Sequence, residues 1–171
     1  MLARTMSGAP AATIARERAV FEADYQAVSR SAFLLARQLG RPADVARDVV
    51  QDAALRAWRY RSSRTGEFRP WFLAIVFRQA RSPLPDWLPL PARWDPPAPE
   101  EISSSLDPDL VSALRELPAR QRAALWLRYC GDLSTSDVAR IMSCSETAAK
   151  QLLLRGRDAL RARLQPIREE D

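Results

Sequence analysis

One set of side chains near the C-terminal end has the chemistry to read nucleic acid. Thr147, Lys150, Gln151, Leu154, Arg157 and Arg161 recur at helical steps, so they gather on one face of a helix over 146–164. Cations donate to guanine or phosphate, a glutamine can bridge adenine, and an apolar group can meet a thymine methyl. Leu154 is central to that face, where a merely solvated helix rarely needs a leucine. A second set lies on a helix expected over about 42–60. Asp44, Asp48, Gln51, Asp52 and Arg59 share its polar side, and Leu55 falls in their midst. Two readings of that side are open: a solvated face with one stray leucine, or a protein-binding patch with an apolar centre and a polar rim. A third set combines arginine with aromatic rings. Arg61 and Arg64 stand in a polar loop from Tyr60 to Glu67, and Arg69, Trp71, Arg78 and Arg81 follow. Guanidinium binds phosphate and rings stack on bases, a pairing suited to single-stranded nucleic acid. Trp71 also fits a plain core position.

Elements must place these sets. Phe21, Tyr25, Val28, Ala32, Leu35 and Leu39 advance by fours and threes along one helix face over 14–39. Gly40 suits the residue just past its end, and Pro42 the first turn of the next helix. There Val45, Ala46, Val49, Val50, Ala53 and Ala57 face inward. Pro70 suits the first turn of a third helix. Asp107 and Pro108 open a further helix, and Leu117-Pro118 breaks it. After Gly131, Ser134 to Asp137 match a capping pattern, and Ser143-Cys144-Ser145 form a tight turn before the last helix. Short helix, turn and second helix make a helix-turn-helix candidate.

Charge divides the same way. The 171 residues carry a net charge of +5, and 25 of the 26 basic residues are arginine, with Lys150 the exception. Residues 1–81 hold +7, 82–109 hold −5 and 110–171 hold +3. The middle stretch also contains 8 of the 13 prolines, which exclude helix and sheet there. The expected fold is all-α: two small helical domains, 1–82 and 108–171, joined by a Pro-rich acidic linker over 83–107. Two basic lobes fit nucleic-acid contact by both, and equally an arginine-rich composition without that meaning.

Absences bound the chemistry. The chain has no histidine, only two cysteines and five scattered glycines. Histidine-based hydrolysis, a zinc site and a Gly-rich phosphate loop are therefore not expected, nor is any catalytic group, cofactor or small-molecule substrate. No apolar run approaches the ~20 residues of a membrane span, and no signal peptide is read at the N-terminus. A cytoplasmic protein with Cys130 and Cys144 reduced and buried as small hydrophobes is expected.

Taken together, these residues resemble a bacterial RNA polymerase sigma factor of the extracytoplasmic-function group. Ala46 to Trp58, ARDVVQDAALRAW, resembles the core motif of the family's region two. Phe68 to Arg81 resembles the promoter-opening segment, and Leu117 to Leu160 resembles region four. The two motifs come in family order around a linker. The resemblance implies that Asp48, Gln51, Asp52 and Leu55 bind core RNA polymerase, which favours the protein-binding reading of that face. It implies −10 promoter contact by the Tyr60–Glu67 loop and by Arg61, Arg64, Arg69, Arg78 and Arg81, with Trp71 beside them. It implies −35 readout by Lys150, Gln151, Leu154 and Arg155, with Thr147 on the same face. It further implies an anti-sigma partner at the membrane that holds the protein there. In related sigma factors the connector threads through the polymerase, so two readings of Asp95, Glu100, Glu101, Asp107 and Asp109 are open: contact with cationic polymerase surface, or a solvated tether.

Four departures stand out. Ser143 replaces the usual turn glycine, Leu152 a frequent arginine and Arg78 a frequent asparagine, and Pro83 replaces the start of a basic tail. Two other readings compete: a helix-turn-helix regulator whose first lobe senses or dimerises, and a sigma-like mimic that sequesters an anti-sigma protein without initiating transcription.

Overall fold

The computed structural model describes residues 9–81 and 108–165, and all regular structure among them is helical. In chain order the helices are α1 (Ala9–Gln38), α2 (Ala43–Arg59), α3 (Phe68–Ala80), α4 (Pro108–Arg115), α5 (Ala119–Leu125), α6 (Thr135–Ile141) and α7 (Glu146–Leu164). A 3-10 turn, Arg61–Ser63, joins α2 to α3, and a π-helical turn, Trp126–Cys130, extends α5. Except for Asp109, the expected linker acids lie outside the described residues, as does Asp107 as a helix cap.

The first three helices pack against one another in all pairings. Val28, Ala32 and Leu35 of α1 and Ala46, Val50, Ala53 and Ala57 of α2 are buried, as the spacing predicts. Gly40 adopts a left-handed φ of 87°, which lets the Arg41 amide turn back to the Ala36 carbonyl and stop α1. Pro42 sits one residue earlier than expected, as the N-cap of α2 rather than inside its first turn. α3 is the most buried helix, with nine core positions that include Phe72, Leu73, Val76 and Phe77.

The second group builds a helix-turn-helix from α6 and α7, with α4 and α5 packed on α7. The Ser134 hydroxyl accepts from the Asp137 amide and donates to the Asp137 carboxylate, and Ser145 accepts from the Ala148 amide. Both caps satisfy otherwise orphaned helix N–H groups. The turn is closed by the Cys144 amide reaching the Ala139 carbonyl, and it requires Ser143 at φ 51°. Gly156 lets α7 approach α5 closely, since a Cβ there would lie 3.0 Å from the Leu125 side chain.

The two groups are not separate beads. α6 packs on α3, and α5 with the π turn packs on α1. Buried apolar residues from both groups form one continuous core. Arg122 sits in this seam at 3% exposure. Its Nε donates to the Gln38 carbonyl of α1 at 2.8 Å, and its Nη1 to the Leu117 carbonyl at 2.8 Å. Burial pushes its pKa down to about 10, so it stays charged at neutral pH.

Two expectations about burial fail. Cys130, in the π turn beside the exposed Tyr129, is exposed, whereas Cys144 is half-buried and packs against the core. Helical spacing puts Ala149, Leu152, Leu153, Gly156, Leu160 and Leu164 on one inner side of α7, but Leu164 is 43% exposed because it lies in the final turn, at the end of the helix.

Candidate polymerase and promoter interfaces

The polar side of α2 is open to solvent. Asp48, Gln51 and Asp52 are exposed, and Leu55 among them is 63% exposed. Ala53 and Ala57 on the opposite side are fully buried, so packing fixes which side α2 presents. No hydrogen bond or ion pair within the described residues engages the three polar groups.

α7 presents the second surface. Ala149, Leu153 and Gly156 are buried, while Thr147, Lys150, Gln151, Leu154 and Arg155 are exposed. Leu154 is 50% exposed at its centre. Lys150 pairs with Glu146 one turn back at 3.0 Å, an exposed pair worth little in water and easily exchanged for phosphate. Leu152, where the family often has arginine, is half-buried and packs toward the core.

The third surface surrounds the turn between α2 and α3. An aromatic cluster supports it: Phe21 meets Trp58 and Phe68 edge-on at 5.3 and 5.4 Å, and Phe68 stacks on Phe72 at 5.4 Å. Trp71 is half-buried against Phe68 and lines a cleft of about 500 Å³ with Arg56, Tyr60, Ser63, Ile75, Arg78 and Gln79. Arg78 and Arg81 are exposed. Arg61 and Arg64 reach back to acids of α1, with Arg61 on Glu17 at 3.0 Å and Arg64 on Asp24 at 3.2 Å.

Arg69 departs from expectation. It is half-buried, 3.4 Å from the Ser31 hydroxyl, and its Nε is buried without a partner. Its place near the start of α3 turns it toward α1 and away from open surface. Sequence reasoning also missed Gln79, whose Oε1 is buried without a partner at the cleft wall. A donor entering the cleft, such as an exocyclic amine, would satisfy it. No periodicity marks such a residue, because a glutamine next to an alanine carries no signal of its own.

Comparison with known proteins places the chain in one family. Residues 109–160 match the model for sigma-70 region 4. The chain is 30% identical over 176 residues to the ECF RNA polymerase sigma factor SigL of Mycobacterium tuberculosis, covering 95% of this chain and 96% of that one. The chain belongs to the extracytoplasmic-function sigma factors. The sigma-E factor of Haemophilus influenzae is 29% identical over 141 residues, covering 70% of this sigma factor and 75% of the relative. Among solved structures, the sigma factor RpoE from Bartonella quintana, in complex with the anti-sigma factor NepR, superposes with a TM-score of 0.67 at 27% identity, over 86% of this chain and 98% of that one. CnrH, in complex with the cytosolic domain of CnrY, shares the fold with a TM-score of 0.64 at 22% identity, over 85% and 87% of the two chains. Among the described residues of this sigma factor, no helix is long and apolar enough to cross a membrane.

Proposed function

We propose that this sigma factor, which directs core RNA polymerase to promoters, divides the work among its three exposed surfaces. The α2 face of Asp48, Gln51, Asp52 and Leu55 binds the polymerase. The α7 face of Thr147, Lys150, Gln151, Leu154 and Arg155 reads the −35 element as duplex. The turn and cleft beside α3, with Arg61, Arg64, Trp71, Arg78 and Arg81, take the −10 element as single strand. The observation that carries this division is a leucine exposed at the centre of each of two polar helix faces, 63% for Leu55 and 50% for Leu154. The exposed part of each leucine adds no burial to the fold, and docking against a partner recovers that apolar area.

Arg69 drops out of the phosphate-binding set on its position against α1. Opening needs no covalent step by this chain. Unstacking a base costs a few kcal/mol, which a fitted cleft and cationic backbone contacts offset. Strand separation follows from binding the single strand better than the duplex.

The Bartonella quintana relative is solved with an anti-sigma factor, and an anti-sigma partner is proposed here on that likeness. A cytoplasmic location and domain limits of 1–82 and 108–171 belong to the same proposal. Run-off transcription with purified core polymerase tests the whole. A transcript that depends on this chain supports it. Polymerase binding without any transcript would support a mimic instead.

A further inference from the structure

We infer that Glu17 and Asp24 of α1 act as an internal substitute for the promoter strand, occupying Arg61 and Arg64 until phosphates displace them. The inference rests on the reading of the α2–α3 turn as the −10 contact. Positions 17, 21 and 24 step by four and three, so Glu17, Phe21 and Asp24 form one stripe on α1. Phe21 anchors the stripe between Trp58 and Phe68. On one side of it, a single Glu17 oxygen accepts from both Nε and Nη2 of Arg61 at 3.0 Å. Arg61 is held further by the Trp58 carbonyl, 3.1 Å from Nη1, and by the Trp58 ring, 4.1 Å from its guanidinium carbon. On the other side, Asp24 accepts from Arg64 at 3.2 Å, with that guanidinium 5.6 Å over Phe68.

These pairs span 44 and 40 residues, so they are tertiary rather than local helix pairs. They also border an open groove of about 450 Å³ lined by Arg16, Glu17, Phe21, Arg61, Ser62 and Arg64. All four partners are roughly a third to a half exposed, so water and competing anions reach them. A carboxylate and a phosphate present the same anionic acceptors to a guanidinium fork. Exposed pairs of this kind contribute at most about 1 kcal/mol, weak enough to be exchanged. The exchange lowers affinity for nucleic acid in general, because each arginine must first leave a carboxylate. It also keeps both arginines extended toward the groove rather than collapsed elsewhere.

The test is fluorescence anisotropy of a labelled single-stranded DNA of mixed sequence against the full chain, across a salt series. Glu17→Gln with Asp24→Asn should tighten binding, by up to about fivefold per neutralised acid. The slope of log affinity on log salt should steepen by up to about 0.7 per released arginine. Arg61→Ala with Arg64→Ala should weaken binding, and in that background the acid substitutions should do nothing. If the arginine variant binds less but the acid variant is unchanged or weaker, the inference is overturned while the −10 assignment stands. If the arginine variant binds as wild type does, both fall. A supporting role for the stripe predicts weakening on loss of the acids, the opposite sign. Glu17→Gln alone gives the same readout at half the effect if the double variant melts early.

Discussion

Leu55 offers the most direct test of the proposed polymerase face. It is 63% exposed on α2, with exposed Asp48, Gln51 and Asp52 around it. Full burial of a leucine is worth about 1.5–3 kcal/mol, so the part still open here can return roughly 1–2 kcal/mol on docking. Leu55→Ala should therefore weaken binding to core polymerase by about fivefold to thirtyfold. Leu55→Asp goes further, because it buries an unpaired charge beside two other carboxylates. Stranding a charge in this way costs about 3–5 kcal/mol, so the loss should exceed a hundredfold. The assay is titration of labelled full-length protein with purified core polymerase. Its companion is thermal melting by circular dichroism, which should shift little, since an exposed substitution changes stability by about 0.5 kcal/mol or less. Leu55→Asp that binds like wild type would refute the interface. A large drop in melting temperature would refute the claim that this leucine stands outside the core.

Three further outcomes follow from particular groups. Lys150→Ala and Arg155→Ala should each lower affinity for duplex promoter DNA and flatten the salt dependence by about one unit of slope; an unchanged slope removes that residue from the phosphate-contacting set. Ser143→Gly should stabilise the chain by about 0.5–1 kcal/mol in urea unfolding, since a left-handed φ of 51° costs an L-residue more than it costs glycine; equal midpoints would show that the turn carries no strain. Burial alone would raise the Asp137 pKa, but hydrogen bonds from Ser134 and Arg140 and the Arg140 charge together hold it below the usual carboxylate range. Its contribution is thus full above its unfolded pKa, near 4, and is lost as pH falls through the lower folded value. Asp137→Asn should therefore be less stable than wild type at pH 7 and closer to it at pH 3, and a constant gap across that range contradicts the assignment.

The helical content and the exposed faces were legible because each depends on local periodicity. The inward side of α2 and the caps at Ser134 and Ser145 follow from residues within a turn or two of one another. What could not be read depends on partners far apart in sequence. Arg69 looks like a phosphate ligand until Ser31, 38 residues away, is seen beside it. Arg61 and Arg64 stand out in the sequence by their place in a polar loop, but their acidic partners on α1 carry no mark there. Cys130 is exposed although free cysteine is usually a small buried hydrophobe, because residue type alone says nothing of which side of the π turn it occupies. Arg122 likewise looks like any other helix arginine in the sequence, and only the fold shows that it joins α5 to the end of α1.

That seam has a consequence for how the protein meets DNA. Elements at −10 and −35 lie about 25 base pairs apart, some 85 Å at ~3.4 Å per base pair. Packed helices lie about 8–10 Å apart, so with α6 on α3 and α7 on α6, the cleft and the reading helix stand only about 20 Å from each other between axes. On the proposed division of surfaces, one copy in this arrangement would span either element but not both. On that division, joint engagement would require α6 to leave α3 and the Arg122 bond to Gln38 to break. The closed form then acts as a thermodynamic tax: apparent promoter affinity is the intrinsic value scaled by the open fraction, tenfold for every 1.4 kcal/mol of closure. Core polymerase relieves that tax if it binds only the open form, and a partner that bridges both lobes raises it without touching a single DNA-reading residue.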